Sequence, residues 1–149
     1  MLSTRERVTV TAHFHAGHRQ LDYPGKCEWI HGHTWRARIV VSADELPRDN
    51  IDMSLDFGEL KAYARDLDHK FLVSASDARF LDPGQFDPKG VVVIPGAGPS
   101  VENVTLHIFE NVLKHIETKF PGRGVTYTVS VELQETDNNF FEIQRVVTI

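Results

Sequence analysis

The chain has a single cysteine, Cys27, among 149 residues. One thiol excludes an intrachain disulfide, so nothing calls for an oxidising compartment. No apolar run approaches a membrane span, and the opening MLSTRERVTVTAHFH lacks the apolar core of a secretion signal. Excess basic charge is missing too: 16 Lys and Arg stand against 21 Asp and Glu, for a net charge of -5. Scattered cations argue against nucleic acid and against an anionic membrane as partners, while leaving room for a small anionic substrate. A cytoplasmic protein is the expectation. Internal repeats, low-complexity tracts and linkers are also absent, so residues 1–149 are expected to form one domain. A hydrophobic content of 41% with 25% charged residues is that of a globular chain rather than a disordered one.

The hydrophobic pattern divides the chain into four strands and two helices. In RVTVTAHFHAGH (7–18), Val8, Val10, Ala12, Phe14, Ala16 and His18 share one face, with Thr9, Thr11, His13 and His15 opposite. A second strand is expected over 31–42, with His31, His33, Trp35, Ala37, Ile39 and Val41 on one face. Asp56 caps an expected helix over 57–67, with Phe57, Leu60, Ala64 and Leu67 at helical spacing. Residues 73–99 read as irregular, broken by DPGQFDPKG and GAGP. A second helix is expected from the N-cap candidate Ser100 to about residue 119, stopped by PGRG. VTYTVSVELQE (125–135) alternates as a strand, and NFFEIQRVVTI supplies the last one. Runs of strands and helices in the order ββααββ favour an α+β domain on an antiparallel sheet.

Three features carry chemistry. His31 and His33 stand two apart on one strand face, with the spacing a single cation bridges, and His18 ends the preceding strand. Imidazole suits Zn²⁺ among the first-row ions. Spacing alone leaves HxH open between a chelate and two solvated histidines; His13 and His15 read as surface residues. Cys27 has three readings: a fourth ligand closing a structural site, a free nucleophile or proton acceptor beside an open three-histidine zinc, or an inert buried thiol. Asp68-His69 reads as polar punctuation at a helix end, because adjacent side chains rarely bond each other. Glu135 continues the apolar face of Val129, Val131 and Leu133. Either the strand stops before it, or its carboxylate meets a ligand with paired N–H donors.

In combination these segments resemble the 6-pyruvoyltetrahydropterin synthase / 6-carboxytetrahydropterin synthase family. The matching pieces are FHAGHR (14–19), CEWIHGHTW (27–35), LDFGELK (55–61), LDHKFL (67–72), PSVEN (99–103) and ET (135–136). The resemblance implies His18, His31 and His33 as zinc ligands and Cys27 as catalytic proton acceptor. It implies His69 as partner acid/base oriented by Asp68, and Glu135 as the anchor of the pterin ring and a member of the catalytic relay. Ser100 and Glu102 would lie near the pterin pocket.

The implied fold is the tunnelling fold, a four-stranded antiparallel sheet with two helices on one face. The implied assembly is a hexamer of two stacked trimers with active sites between subunits. The implied substrate is 7,8-dihydroneopterin triphosphate. The spacing of Cys27 and His31 resembles the branch that makes 6-carboxytetrahydropterin for queuosine-type synthesis. The alternatives are the 6-pyruvoyl branch and a non-catalytic zinc or pterin-binding module; a zinc hydrolase explains neither Cys27 nor Glu135.

Three departures from the family pattern border the pocket. Residues 73–98 form a longer segment than in compact members, DNNFFEI follows ET where small residues are usual, and His15 stands where a small polar residue is common.

Overall fold

Residues 3–149 are described by a computed structural model. Their alternating strands build one mixed sheet: β1 (Glu6–His18), β2 (His31–Ala43), β3 (Lys70–Val73), β4 (Val91–Val93), β5 (Thr126–Thr136) and β6 (Asn139–Thr148). The order across the sheet is β4-β3-β1-β2-β5-β6. The central and β6 pairings are antiparallel, whereas β3 runs parallel to β1 and β4 parallel to β3.

This corrects the expectation of four antiparallel strands in the order ββααββ. The two additional strands, KFLV and VVV, are only 4 and 3 residues long. Segments that short carry no readable periodicity, and the Pro/Gly-rich stretch between them masks their pairing.

Period-2 alternation then selects one sheet face for the core. Val10, Ala12, Phe14 and Ala16 of β1 are buried, as are Trp35, Ala37, Ile39 and Val41 of β2 and Tyr127, Val129, Val131 and Leu133 of β5. Both helices cover that face. Helix α1 (Phe57–Arg65) starts where the Asp56 carboxylate accepts the Glu59 N–H, at 3.0 Å. Helix α2 (Val101–Lys119) starts where the Ser100 hydroxyl oxygen accepts the Asn103 N–H, at 3.2 Å. Val104, Ile108, Val112 and Ile116 form its fully buried stripe, each burial contributing roughly 1.5–3 kcal/mol. Phe57, expected within the apolar stripe of α1, is instead 60% exposed, because α1 begins there and its first turn projects past the core. The helix also ends two residues earlier than expected, at Arg65, and buried Leu67 packs from the following turn.

Candidate metal centre and active-site cleft

The β1–β2 register places His18 directly opposite His31 and Ala16 opposite His33. All three imidazoles therefore leave the core face at the same end of the sheet, and paired side chains there start only about 4.5–5.5 Å apart. Their ring centroids lie 4.6 Å (His18–His31), 5.1 Å (His18–His33) and 4.9 Å (His31–His33) apart. One ligating atom from each lies within 4.8 Å of the others. Trp35, stacked on Phe14, forms the floor beneath His18 and His33 and ties its own indole N–H to the Ala16 carbonyl at 3.1 Å.

Backbone carbonyls fix the ring orientations. His18 Nδ1 donates to the Pro99 carbonyl and His31 Nδ1 donates to the Trp29 carbonyl, each at 2.7 Å. Outer partners of this kind leave Nε2 as the lone-pair nitrogen. The Nε2 atoms of His18 and His33 are buried with no hydrogen-bond partner among the described residues. A buried polar atom without a partner is costly, and a cation among the three rings would satisfy both. Burial lowers the pKa of His18 to about 4, helped by neighbouring His31 and His33 against the pull of the Pro99 carbonyl. Burial, with His31 beside it, lowers that of His33. Neutral imidazole is the form that ligates, so the residues fit a metal ion.

The cluster lines a cleft of ≈ 820 Å³ together with Cys27, Glu102 and Glu135. Cys27 lies in a single 3-10 turn (Lys26–Glu28) between β1 and β2, and its carbonyl accepts the Gln20 N–H at 2.8 Å. Its thiol is partly buried and outside the three-histidine cluster.

Glu135 resolves its two sequence readings in an unforeseen way. Strand β5 continues through it to Thr136, but the pairing with β6 slips between Gln134 and Thr136. The bulge turns the carboxylate into the cleft, where Oε1 lies 3.5 Å from His18 Nε2 and 3.8 Å from His33 Nε2. Burial raises its pKa, with His31 opposing and Glu102 adding to the rise. Glu102 lines the cleft from the first turn of α2, whereas the Ser100 hydroxyl is engaged as that helix's cap.

Asp68 and His69 lie elsewhere. His69 shares an open recess with His15, Ala16, Gly17, Gly32, His33, Thr34 and Lys70, and its ring lies 6.0 Å from that of His15, which alternation places on the face of β1 opposite His18. The adjacent pair does bond directly, contrary to expectation: His69 Nδ1 stands 2.8 Å from Asp68 Oδ2. The reason is backbone geometry, since His69 has φ 56, which folds its side chain back on its neighbour. Asp68 also accepts the His15 N–H at 2.7 Å. That amide, then the His69 ring, holds the Asp68 carboxyl below the usual carboxylate range.

Sequence reasoning missed the carbonyls of Pro99 and Trp29 and the cleft-lining Tyr23, Lys26 and Asn139. Main-chain acceptors leave no side-chain signature, and Asn139 reaches the cleft through its pairing with Thr136, just past the register shift between β5 and β6.

An α+β sheet that gathers three histidines and a cysteine into one cleft defines a small-molecule-binding protein with a metal-competent centre. Comparison with known proteins sharpens that class. The family described as 6-pyruvoyl tetrahydropterin synthase matches residues 7–146. A 6-carboxy-5,6,7,8-tetrahydropterin synthase from Rickettsia conorii is 26% identical over 145 residues, covering 92% of this chain and 99% of the relative. The Rickettsia bellii protein of the same name is also 26% identical, with the same coverage. Among solved structures, the Plasmodium vivax 6-pyruvoyltetrahydropterin synthase superposes with a TM-score of 0.68 at 19% identity, covering 97% of this chain and 99% of that one. The chain belongs to the 6-pyruvoyl tetrahydropterin synthase family, a family of tetrahydropterin synthases.

Proposed function

We propose that the protein is a zinc-dependent 6-carboxy-5,6,7,8-tetrahydropterin synthase acting on 7,8-dihydroneopterin triphosphate. The observation that carries this reading is the convergence of His18, His31 and His33 on one point of a cleft that Cys27 and Glu135 also line. The name of the Rickettsia relatives supports the 6-carboxy product.

His18, His31 and His33 would hold the zinc, which would supply Lewis acidity toward the hydroxyl oxygens of the substrate side chain. Glu135 accepts from the paired N–H groups of the pterin ring and fixes its register, with Glu102 beside it at the mouth of α2. Ser100 contributes through the helix start that places Glu102. Cys27, as thiolate, takes the proton from the activated side-chain carbon. His69, held in one orientation by Asp68, returns a proton as the triphosphate departs; a water molecule adds to the side-chain carbon nearest the ring, which stays as the carboxylate, while the bond to the next carbon breaks and the two outer carbons leave as acetaldehyde.

One copy of the chain keeps His69 on the far face of β1 from Cys27, so the second proton carrier comes from a neighbouring copy. His69 supports this by its exposure, 80% for the side chain, and by the side-chain-free floor of its recess, where Gly17 pairs with Gly32. A hexamer of two stacked trimers is the assembly this reading favours, and the chain acts without nucleic acid or membrane, in the cytoplasm.

The test is incubation of zinc-loaded protein with 7,8-dihydroneopterin triphosphate and identification of products by mass spectrometry. 6-Carboxytetrahydropterin with acetaldehyde is expected. A 6-pyruvoyl product would move the protein to the other branch, and the absence of any turnover would leave only a binding role.

A further inference from the structure

His18, the last residue of β1, and the two residues that follow it each meet the long segment that separates β3 from α2. His18 donates to the carbonyl of Pro99, at the far end of that segment. Arg19 makes a two-bond fork with Asp77, Nε to Oδ2 at 2.7 Å and a terminal NH₂ to Oδ1 at 2.8 Å. The Gln20 side chain packs so close to Gly98 that a Cβ there would lie 3.0 Å from its Oε1.

Asp77 is itself immobilised. It is 4% exposed, its N–H donates to Ser74, and its carbonyl accepts from Phe80. The Arg19 guanidinium lies over the Phe80 ring at 5.1 Å, and Phe80 packs between Phe71 and Phe86, at 4.7 Å and 4.8 Å. Phe71 belongs to β3 and stands opposite Gly17 in the pairing with β1. The segment therefore holds His18 at the end of β1, and the two residues after it, from an aromatic cluster on one side and from the start of α2 on the other.

We propose that residues 74–99 form a brace that sets the position of His18, with Asp77 as the positioning residue acting through Arg19. The inference rests on the metal reading above and extends it to a pair outside the ligand set. A planar guanidinium held by two bonds and a ring face has one orientation, and it is one peptide unit from His18. Metal ligation demands that three nitrogens hold their places within a fraction of an ångström, so freedom at Arg19 passes directly into ligand geometry.

The experiment measures Zn²⁺ affinity of the full chain by competition with a chromophoric chelator, together with the Co²⁺ absorption spectrum. Asp77→Asn removes the charge while keeping the shape and is expected to weaken zinc binding about 10- to 100-fold and to alter the cobalt bands. Arg19→Lys keeps the charge but loses the fork, so its affinity should fall between the two. Ile116→Val, a core change far from the cleft, controls for general destabilisation and should bind zinc as the wild type does. Wild-type affinity in Asp77→Asn overturns the brace alone. Should Asp77→Asn not fold, wild-type affinity in Arg19→Lys overturns it instead. Wild-type protein that binds no zinc overturns the metal reading and the brace together.

Discussion

Asp68 and His69 are neighbours in the chain, yet their side chains bond at 2.8 Å because His69 adopts a left-handed backbone with φ 56. A non-glycine residue in that region costs on the order of 1–2 kcal/mol. The cost is offset locally: the His69 N–H donates to the His15 carbonyl, and the His15 N–H donates to Asp68, both at 2.7 Å. Strain held in place by one main-chain bond and by one from a main-chain N–H to the Asp68 carboxylate, at the rim of an open recess, suits the proposed acid/base pair.

The pair has a pH signature. Asp68 is held below its ordinary value of 3.8 in the folded chain. Its ionised form therefore contributes stability that is fully present above that value and is lost as the pH falls through the lower, folded-state value. Thermal melts of Asp68→Asn should differ from wild type by a constant amount above pH ~5, and the difference should shrink below it. A difference that grows toward acid pH would contradict the assignment.

Placement of His69 away from Cys27 predicts complementation between copies. Cys27→Ala and His69→Ala are each expected to be inactive. Mixed by unfolding and refolding together in equal amounts, they should recover about one quarter of wild-type activity, because a site built from two chains is intact when each donates its unmutated residue. A mixture as inactive as its parts would place both residues in one chain's site.

Ligand loss should be more severe than loss of an outer partner. His33→Ala removes one of three converging nitrogens and is expected to weaken zinc binding by more than about 100-fold, with the fold retained. Zinc content by atomic emission and far-UV circular dichroism check this together. His13→Ala, on the exposed face of β1, should leave zinc content unchanged.

The long elements were legible in the sequence for a physical reason. β1, β2 and β5 have 13, 13 and 11 residues, enough for several periods of alternation, and each buries one face. That same parity placed His18, His31 and His33 on one side. The antiparallel register that sets His18 opposite His31 follows from the pairing of β1 with β2 and needs the structure. What stayed hidden depends on the main chain: the short parallel strands β3 and β4, the bulge at Glu135, the left-handed His69 and the Pro99 carbonyl behind His18. None of these is announced by side-chain type. Residues 73–99 read as irregular because Pro and Gly dominate their punctuation, yet Asp77 and Phe80 within them are buried.

The central claim is that Cys27 is a free thiol working beside a three-histidine metal centre. Paired measurement of zinc content and turnover in Cys27→Ala tests it most directly. The account predicts zinc retained at the wild-type stoichiometry, with turnover lowered by at least about 10²- to 10⁴-fold. Zinc lost along with activity would make Cys27 a fourth ligand of a closed site, and turnover at the wild-type rate would remove it from the chemistry altogether.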